Sequence, residues 1–175
     1  FNRAYAPLLF DVETIAFPAE GAEQATLDAL DRACARRDAA AFIVEPLILG
    51  AGGMLIYSAK VLVQMRAICE SHGVLFIADE VMTAWGRTGT LLACAQAGIV
   101  PDLLCLSKGL TGGSLPLAVT RAHNAATGRA AASSGCAAHG PPAAHAFARS
   151  PSARAQATSQ NGNPSTPCPH PAKLG

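Results

Sequence analysis

Hydrophobic positions along the first 120 residues switch between two periods. In GAEQATLDALDRACARRD (21–38), Leu27, Leu30 and Cys34 recur at helical spacing with charges opposite, which predicts an amphipathic helix. AAAFIVEP follows as a short, continuously apolar run. Proline cannot continue a hydrogen-bonded ladder, so a buried strand is predicted to stop at Glu45-Pro46. LILGAGGML reads as a glycine-rich loop. A second helix is predicted from a Ser58 cap, with Val61, Leu62, Met65, Ile68 and Cys69 as its stripe and Gly73 at its end. VLFIAD (74–79) is the next strand, EVMTAWGRTG a loop and TLLACAQAG a short helix; Pro101-Asp102 leads into the strand LLCLS. Helices alternating with continuous apolar strands predict an α/β fold, with βαβ units around a mostly parallel sheet and flanking helices.

In such sheets, ligands bind beyond the carboxyl ends of the strands. Three predicted strands end at Glu45, Asp79 and Lys108, so these groups are expected to gather at one edge. Lys108 stands out because it follows LLCLS and precedes GLTGG, and an unpaired ammonium is costly to bury. In apolar surroundings an amine gives up its proton readily enough to act as a nucleophile, characteristically as a Schiff base with an aldehyde. A carboxylate on the neighbouring strand can pair with the pyridinium nitrogen of pyridoxal phosphate and keep that ring electron-withdrawing. Asp79 and Lys108 fit this spacing; a plain Lys–Asp ion pair rimming the sheet fits it equally. Gly50, Gly52, Gly53 and the glycines of GLTGG either make room for a ligand or simply form tight turns. GxGxxG, P-loop and GxSxG spacings are all missing, as is any Cys/His cluster, which argues against nucleotide binding, serine hydrolysis and a metal centre.

Composition adds a division of the chain. The 175 residues are 50% hydrophobic and 14% charged, enough for one domain with a real core. Six scattered cysteines, three of them in apolar segments (Cys34, Cys69, Cys105), read as reduced thiols of a cytoplasmic protein. No apolar run approaches the roughly 18 residues of a membrane span. Residues 1–120 hold all twelve acidic residues beside eight Lys and Arg, whereas 121–175 holds five Lys and Arg and no acid. That second segment is rich in Ala, Pro, Ser, Gly and Arg, with Phe147 and Leu174 as its only large apolar residues. It buries too little to offset its ordering entropy and is expected to be a disordered tail. The abrupt change after LPLAVT also reads as a shifted reading frame. Sparse basic residues without interleaved aromatics argue against a nucleic-acid partner. The opening residues carry neither an initiator methionine nor a signal pattern, so the chain is expected to come from within a longer protein.

FIVEPLILGAGGMLIY and HGVLFIADEVMTAWGRTGTLLACAQAGIVPDLLCLSKGLTGGSLPLAVT closely resemble the class III, fold-type I pyridoxal-phosphate aminotransferases. AYAPLLFDVETIAFP extends the likeness across residues 1–120. The resemblance implies that 1–120 is part of the large cofactor-binding domain, that pyridoxal 5'-phosphate is the cofactor and that the intact protein is a homodimer. It also implies that Lys108 carries the cofactor as a Schiff base and shuttles the proton. Asp79 would bind the pyridine nitrogen, with Glu45 and the glycines after it supporting the site from the next strand. GRTGTLLACAQAG and DLLCLSKGLTGGSLPLAV are most similar to a branch of biotin biosynthesis with two small-molecule substrates. That branch passes an amino group from S-adenosylmethionine to 8-amino-7-oxononanoate, giving 7,8-diaminononanoate. An ω-aminotransferase of ornithine or 4-aminobutyrate type, or an inactive truncated product, are the alternatives. Beyond Thr120 the likeness is expected to stop. The family's His-Gly/Ser-x-Thr segment is replaced by His139-Gly140-Pro141-Pro142, where proline offers neither hydroxyl nor N–H. The phosphate cradle and the substrate-carboxylate arginine are expected outside this chain, which alone is expected not to turn over substrate.

Overall fold

The computed structural model describes residues 12–123 and the backbone of 145–149. In chain order the elements are β1 (Val12–Ile15), α1 (Glu23–Ala35), β2 (Ala39–Val44), β3 (Ile48–Leu49), β4 (Leu55–Ile56), α2 (Ala59–His72) and β5 (Leu75–Asp79). They continue with α3 (Ala93–Gln96), β6 (Leu103–Leu106), β7 (Val119–Ala122) and β8 (His145–Arg149).

Both long helices form where the apolar spacing predicts them. Helix α1 buries Thr26, Leu27, Leu30, Ala33 and Cys34. Helix α2 starts at the Ser58 cap, whose hydroxyl accepts from Val61 N at 3.4 Å. It ends at Gly73, which takes the left-handed φ of 72° that a helix C-terminus commonly requires. Val74 N then donates back to Cys69 O at 2.9 Å, so the chain leaves the helix directly into β5. His72 Nε2 meets Asp31 Oδ1 at 2.8 Å and ties the two helices at their ends.

The sheet runs β1-β8-β2-β5-β6-β7. Its centre is parallel, with Val44 opposite Ala78 and Asp79 opposite Cys105. Strand β8 pairs antiparallel with β1 and β2, and β7 antiparallel with β6, so β1, β2, β5 and β6 share one direction. One face of the sheet packs on the helices around Phe42 and Phe76, both fully buried, with ring centroids 5.8 Å apart edge to face. Leu30, Leu62, Met65, Cys34 and Cys69 complete this core. The opposite face carries only Ala41 and Leu75 as buried apolar residues, flanked by Ile77 and Leu103. Among the described residues the helices cover one face of the sheet.

Five strands, β1, β3, β4, β7 and β8, lie where none was predicted. The glycine-rich stretch after Glu45 folds back as the hairpin β3–β4, held by Tyr57 N donating to Leu47 O at 3.0 Å. Strand β7 crosses the expected boundary at Thr120, and β8 lies inside the segment expected to be without structure. A strand needs only backbone partners, and the otherwise unpaired edge of β2 supplies them to β8. The other residues of the expected tail fall outside the described part. Among the described residues no helix is long and apolar enough to cross a membrane, and all four described cysteines, Cys34, Cys69, Cys94 and Cys105, are free thiols.

Asp102 locks the amino-terminal end of the parallel strands, away from the predicted ligand edge. Its carboxylate accepts from Phe76 N at 2.8 Å and from Arg66 Nη1 at 2.9 Å, and it is 4% exposed. Its own N–H donates to Phe76 O at 2.9 Å, joining the starts of β5 and β6. Asp102→Asn keeps the shape and one acceptor but removes the charge facing Arg66. The expected loss of stability is about 1–2 kcal/mol, the scale of a hydrogen bond to a charged group. Urea unfolding at neutral pH measures it, and an unchanged midpoint would show the Arg66 pair to be energetically idle.

Candidate active site

Two of the three predicted groups close adjacent strands. Glu45 follows the last residue of β2, Asp79 ends β5, and the pairing of Val44 with Ala78 places them on neighbouring strand ends. Glu45 is committed to its own turn. Its carboxylate accepts from Gly50 N at 2.9 Å and Ala51 N at 3.4 Å, while its carbonyl accepts from Tyr57 Oη at 2.8 Å. Gly50 cannot be larger without displacement, because a Cβ there would overlap the Met82 side chain and lie 3.1 Å from Glu45 Oε2. The glycine serves a tight turn, and what it lets approach is the Met82 side chain of this same chain.

Asp79 is 6% exposed, and its Oδ1 accepts from Val81 N at 3.1 Å, turning the chain sharply as it leaves the sheet. The next residue, Glu80, was not singled out by the sequence and is fully buried. Its carboxylate accepts from Ala93 N and Cys94 N, each at 2.8 Å, and from Thr83 Oγ1 at 2.9 Å. Burial, and then the Glu80 charge beside it, push the Cys94 thiol well above its ordinary range, so this thiol is protonated and unreactive. Glu80 thus fastens the start of α3 to the end of β5 and fixes both ends of the EVMTAWGRTG loop. Two adjacent acids at a strand end were the available signal, since alternation sends one to each face.

Lys108 lies three residues beyond Cys105, the residue paired with Asp79. It opens a short 3-10 turn, Lys108–Leu110, at φ 43°, a left-handed conformation that side chains rarely adopt. It is exposed, so the apolar enclosure expected for it is not present among the described residues. The chain on either side is firmly held. Ser107 Oγ donates to Leu117 O at 2.8 Å, and Leu110 N donates to Ser107 O at 3.0 Å. Trp85, which the sequence left inside a loop, reaches across so that its Nε1 donates to the same Ser107 carbonyl at 3.2 Å. Arg87 is exposed on the turn between Gly86 and Gly89. No group of three or more metal-ligating side chains occurs among the described residues.

A buried carboxylate at one strand end and an exposed amine beyond the next form a donor set suited to a pyridine aldehyde. The family description "Aminotransferase class-III" matches residues 6–157, a range that runs past Thr120. The chain belongs to the class-III aminotransferases. Over 128 residues it is 49% identical to the adenosylmethionine-8-amino-7-oxononanoate aminotransferase of Synechococcus elongatus, which covers 69% of this chain and 30% of that relative. Over 125 residues it is 39% identical to the putrescine aminotransferase of Pectobacterium atrosepticum, covering 71% of this chain and 26% of that one. Among solved structures, the ornithine aminotransferase of Toxoplasma gondii superposes with a TM-score of 0.56 at 35% identity, covering 59% of this chain and 24% of that one. It was found with partial occupancy of pyridoxal phosphate at its active site. The chain therefore spans under a third of the length of these relatives. Pyridoxal phosphate is the cofactor of the family, and the α/β fold expected from the apolar pattern is that of its members.

Proposed function

We propose that this chain carries the lysine and the pyridine-binding aspartate of a transaminase that moves an amino group from S-adenosylmethionine to 8-amino-7-oxononanoate. The observation that carries the reading is the placement of Lys108 and Asp79 at neighbouring strand ends of a class-III aminotransferase chain. The substrates are proposed from the relatives of that name, which include the 49% identical enzyme of Synechococcus elongatus. Residues 1–120 are proposed as part of the cofactor-binding large domain; β7 and β8 join the same sheet, so 121–175 is set apart by its composition alone. The homodimer of the intact protein belongs to the same proposal.

The donor set fits the cofactor's reactive half. Bound pyridoxal phosphate supplies an aldehyde and a ring that accepts electron density from the carbon attached to the amine. The Lys108 amine would hold the aldehyde carbon, with release of water, and once displaced by the amino donor would take the proton from the donor's α-carbon at Nζ. Asp79 would keep a proton on the pyridine nitrogen, and its burial would strengthen that pairing by excluding water. Glu45 acts indirectly, by holding Gly50 and Ala51 in the tight turn beside Asp79. No described residue is assigned to the phosphate.

The likeness to putrescine and ornithine enzymes supports a second reading, in which an ω-amine is the donor. Offering the intact protein S-adenosylmethionine, putrescine and ornithine in parallel, with 8-amino-7-oxononanoate as acceptor, separates the two. Formation of 7,8-diaminononanoate from S-adenosylmethionine is the expected result. Turnover with putrescine or ornithine and none with S-adenosylmethionine would reject the first reading in favour of the second.

A further inference from the structure

We propose that Trp85 is a positioning residue for Lys108, gripping the backbone on both sides of it. The inference rests on the reading of Lys108 as the Schiff-base lysine and adds the device that presents it. A non-glycine residue at φ 43° persists only where its neighbours over-determine the conformation. Before Lys108, the Trp85 indole N–H donates to the Ser107 carbonyl at 3.2 Å. After it, the same indole lies so close over Gly109 that a Cβ there would overlap Cδ1 and Cγ of the ring. The residue on each side of the lysine is therefore in contact with one tryptophan.

Trp85 is itself fixed for this task. It stands at φ 67°, and its N–H donates to Leu91 O at 2.7 Å across the EVMTAWGRTG loop. Gly86 continues the turn at φ 87°, and buried Glu80 anchors both ends of the loop. Trp85 remains 40% exposed, so it is no core residue. Ser107 Oγ, donating to Leu117 O at 2.8 Å, adds a tether from the other side. Freed from this grip, the Lys108 backbone relaxes toward an ordinary φ and the amine leaves the position it holds relative to Asp79.

The test uses the full chain with Trp85→Ala, Trp85→Phe and Gly109→Ala. Pyridoxal phosphate is added and reduced in place with borohydride. Peptide mass spectrometry then gives the ratio of pyridoxyl label on Lys108 to label on Lys60, the exposed lysine of α2. Deuterium uptake at 107–111 and along α2 is followed in parallel without cofactor. Trp85→Ala and Gly109→Ala are expected to lower the labelling ratio about tenfold and to speed uptake at 107–111 about tenfold, with α2 unchanged. Trp85→Phe keeps the ring and loses the N–H, so it is expected to fall between. An unchanged ratio in Trp85→Ala overturns the proposal, as does a loss of protection that spreads into α2. A wild-type chain showing no preference for Lys108 refutes the lysine's assignment instead. Uptake then decides the clamp by itself, and unchanged uptake at 107–111 in Trp85→Ala overturns it.

Discussion

Lys108→Ala is expected to lower transamination by the intact protein roughly 10²–10⁴-fold, the range that a positioned acid–base group contributes. The same variant is expected to lose the borohydride-fixed pyridoxyl label at this position, without its moving to Lys60. Lys60 sits exposed near the start of α2 and has no carboxylate arranged beside it by the sheet. Lys108→Arg sharpens the test. Arginine keeps the positive charge, but its guanidinium neither condenses with an aldehyde nor takes a proton near neutral pH. If Lys108 merely paired with a strand-end acid at the rim, arginine would serve as well as lysine. Activity retained in Lys108→Arg would therefore favour the rim ion pair.

The conformation of Lys108 adds a second, opposite expectation. At φ 43° a side chain carries a steric cost that glycine avoids. Lys108→Gly is thus expected to lower activity as far as Lys108→Ala does while raising stability by about 1 kcal/mol, read as a higher urea midpoint at unchanged slope. Strain at the one residue proposed to react, relieved by removing that residue, is the pattern of a site kept at some expense to the fold.

What the sequence made legible follows from which interactions are local. The Ser58 cap, the Gly73 stop and the stripes of α1 and α2 depend on residues within a turn or two, and all appear as predicted. The strand ends at Glu45 and Asp79 were legible because proline and adjacent acids punctuate continuous apolar runs, whereas β6 stops at Leu106, two residues short of Lys108. Hairpin β3–β4 was hidden because its strands are two residues long, and its Gly50 turn is held by a carboxylate five residues away. Strand β8 was hidden for a different reason: its pairing is through backbone groups, which leave no apolar signature. Trp85 and Glu80 were missed because their partners lie up to 22 residues away and are backbone atoms. Lys108 was singled out by the sequence, but the apolar enclosure inferred for it is not present among the described residues. The apolar run that precedes it describes β6 and says nothing of what lies beyond the strand's end.

Glu80→Ala is expected to cost roughly 3–5 kcal/mol of stability, since two buried backbone N–H groups lose a charged acceptor together. Ala93 is fully buried and Cys94 nearly so, so water is a poor substitute for the lost oxygens. Glu80→Gln is the gentler comparison. Its amide oxygen serves one of the two N–H groups while its NH2 faces the other, so about half the loss is expected. Chemical denaturation of both variants at neutral pH measures the difference, and a loss below about 1 kcal/mol in Glu80→Ala would mean that water reaches those amides. The consequence extends to the lysine proposed to bind the cofactor. The loop that Glu80 anchors at both ends contains Trp85, and Trp85 holds the residues on either side of Lys108. Loosening the carboxylate should therefore speed deuterium uptake at 107–111 as well as around 81–94, while helix α1, which packs on α2, keeps its protection. Faster uptake confined to 81–94 would separate the two and leave Trp85 held by Leu91 and Ser107 alone.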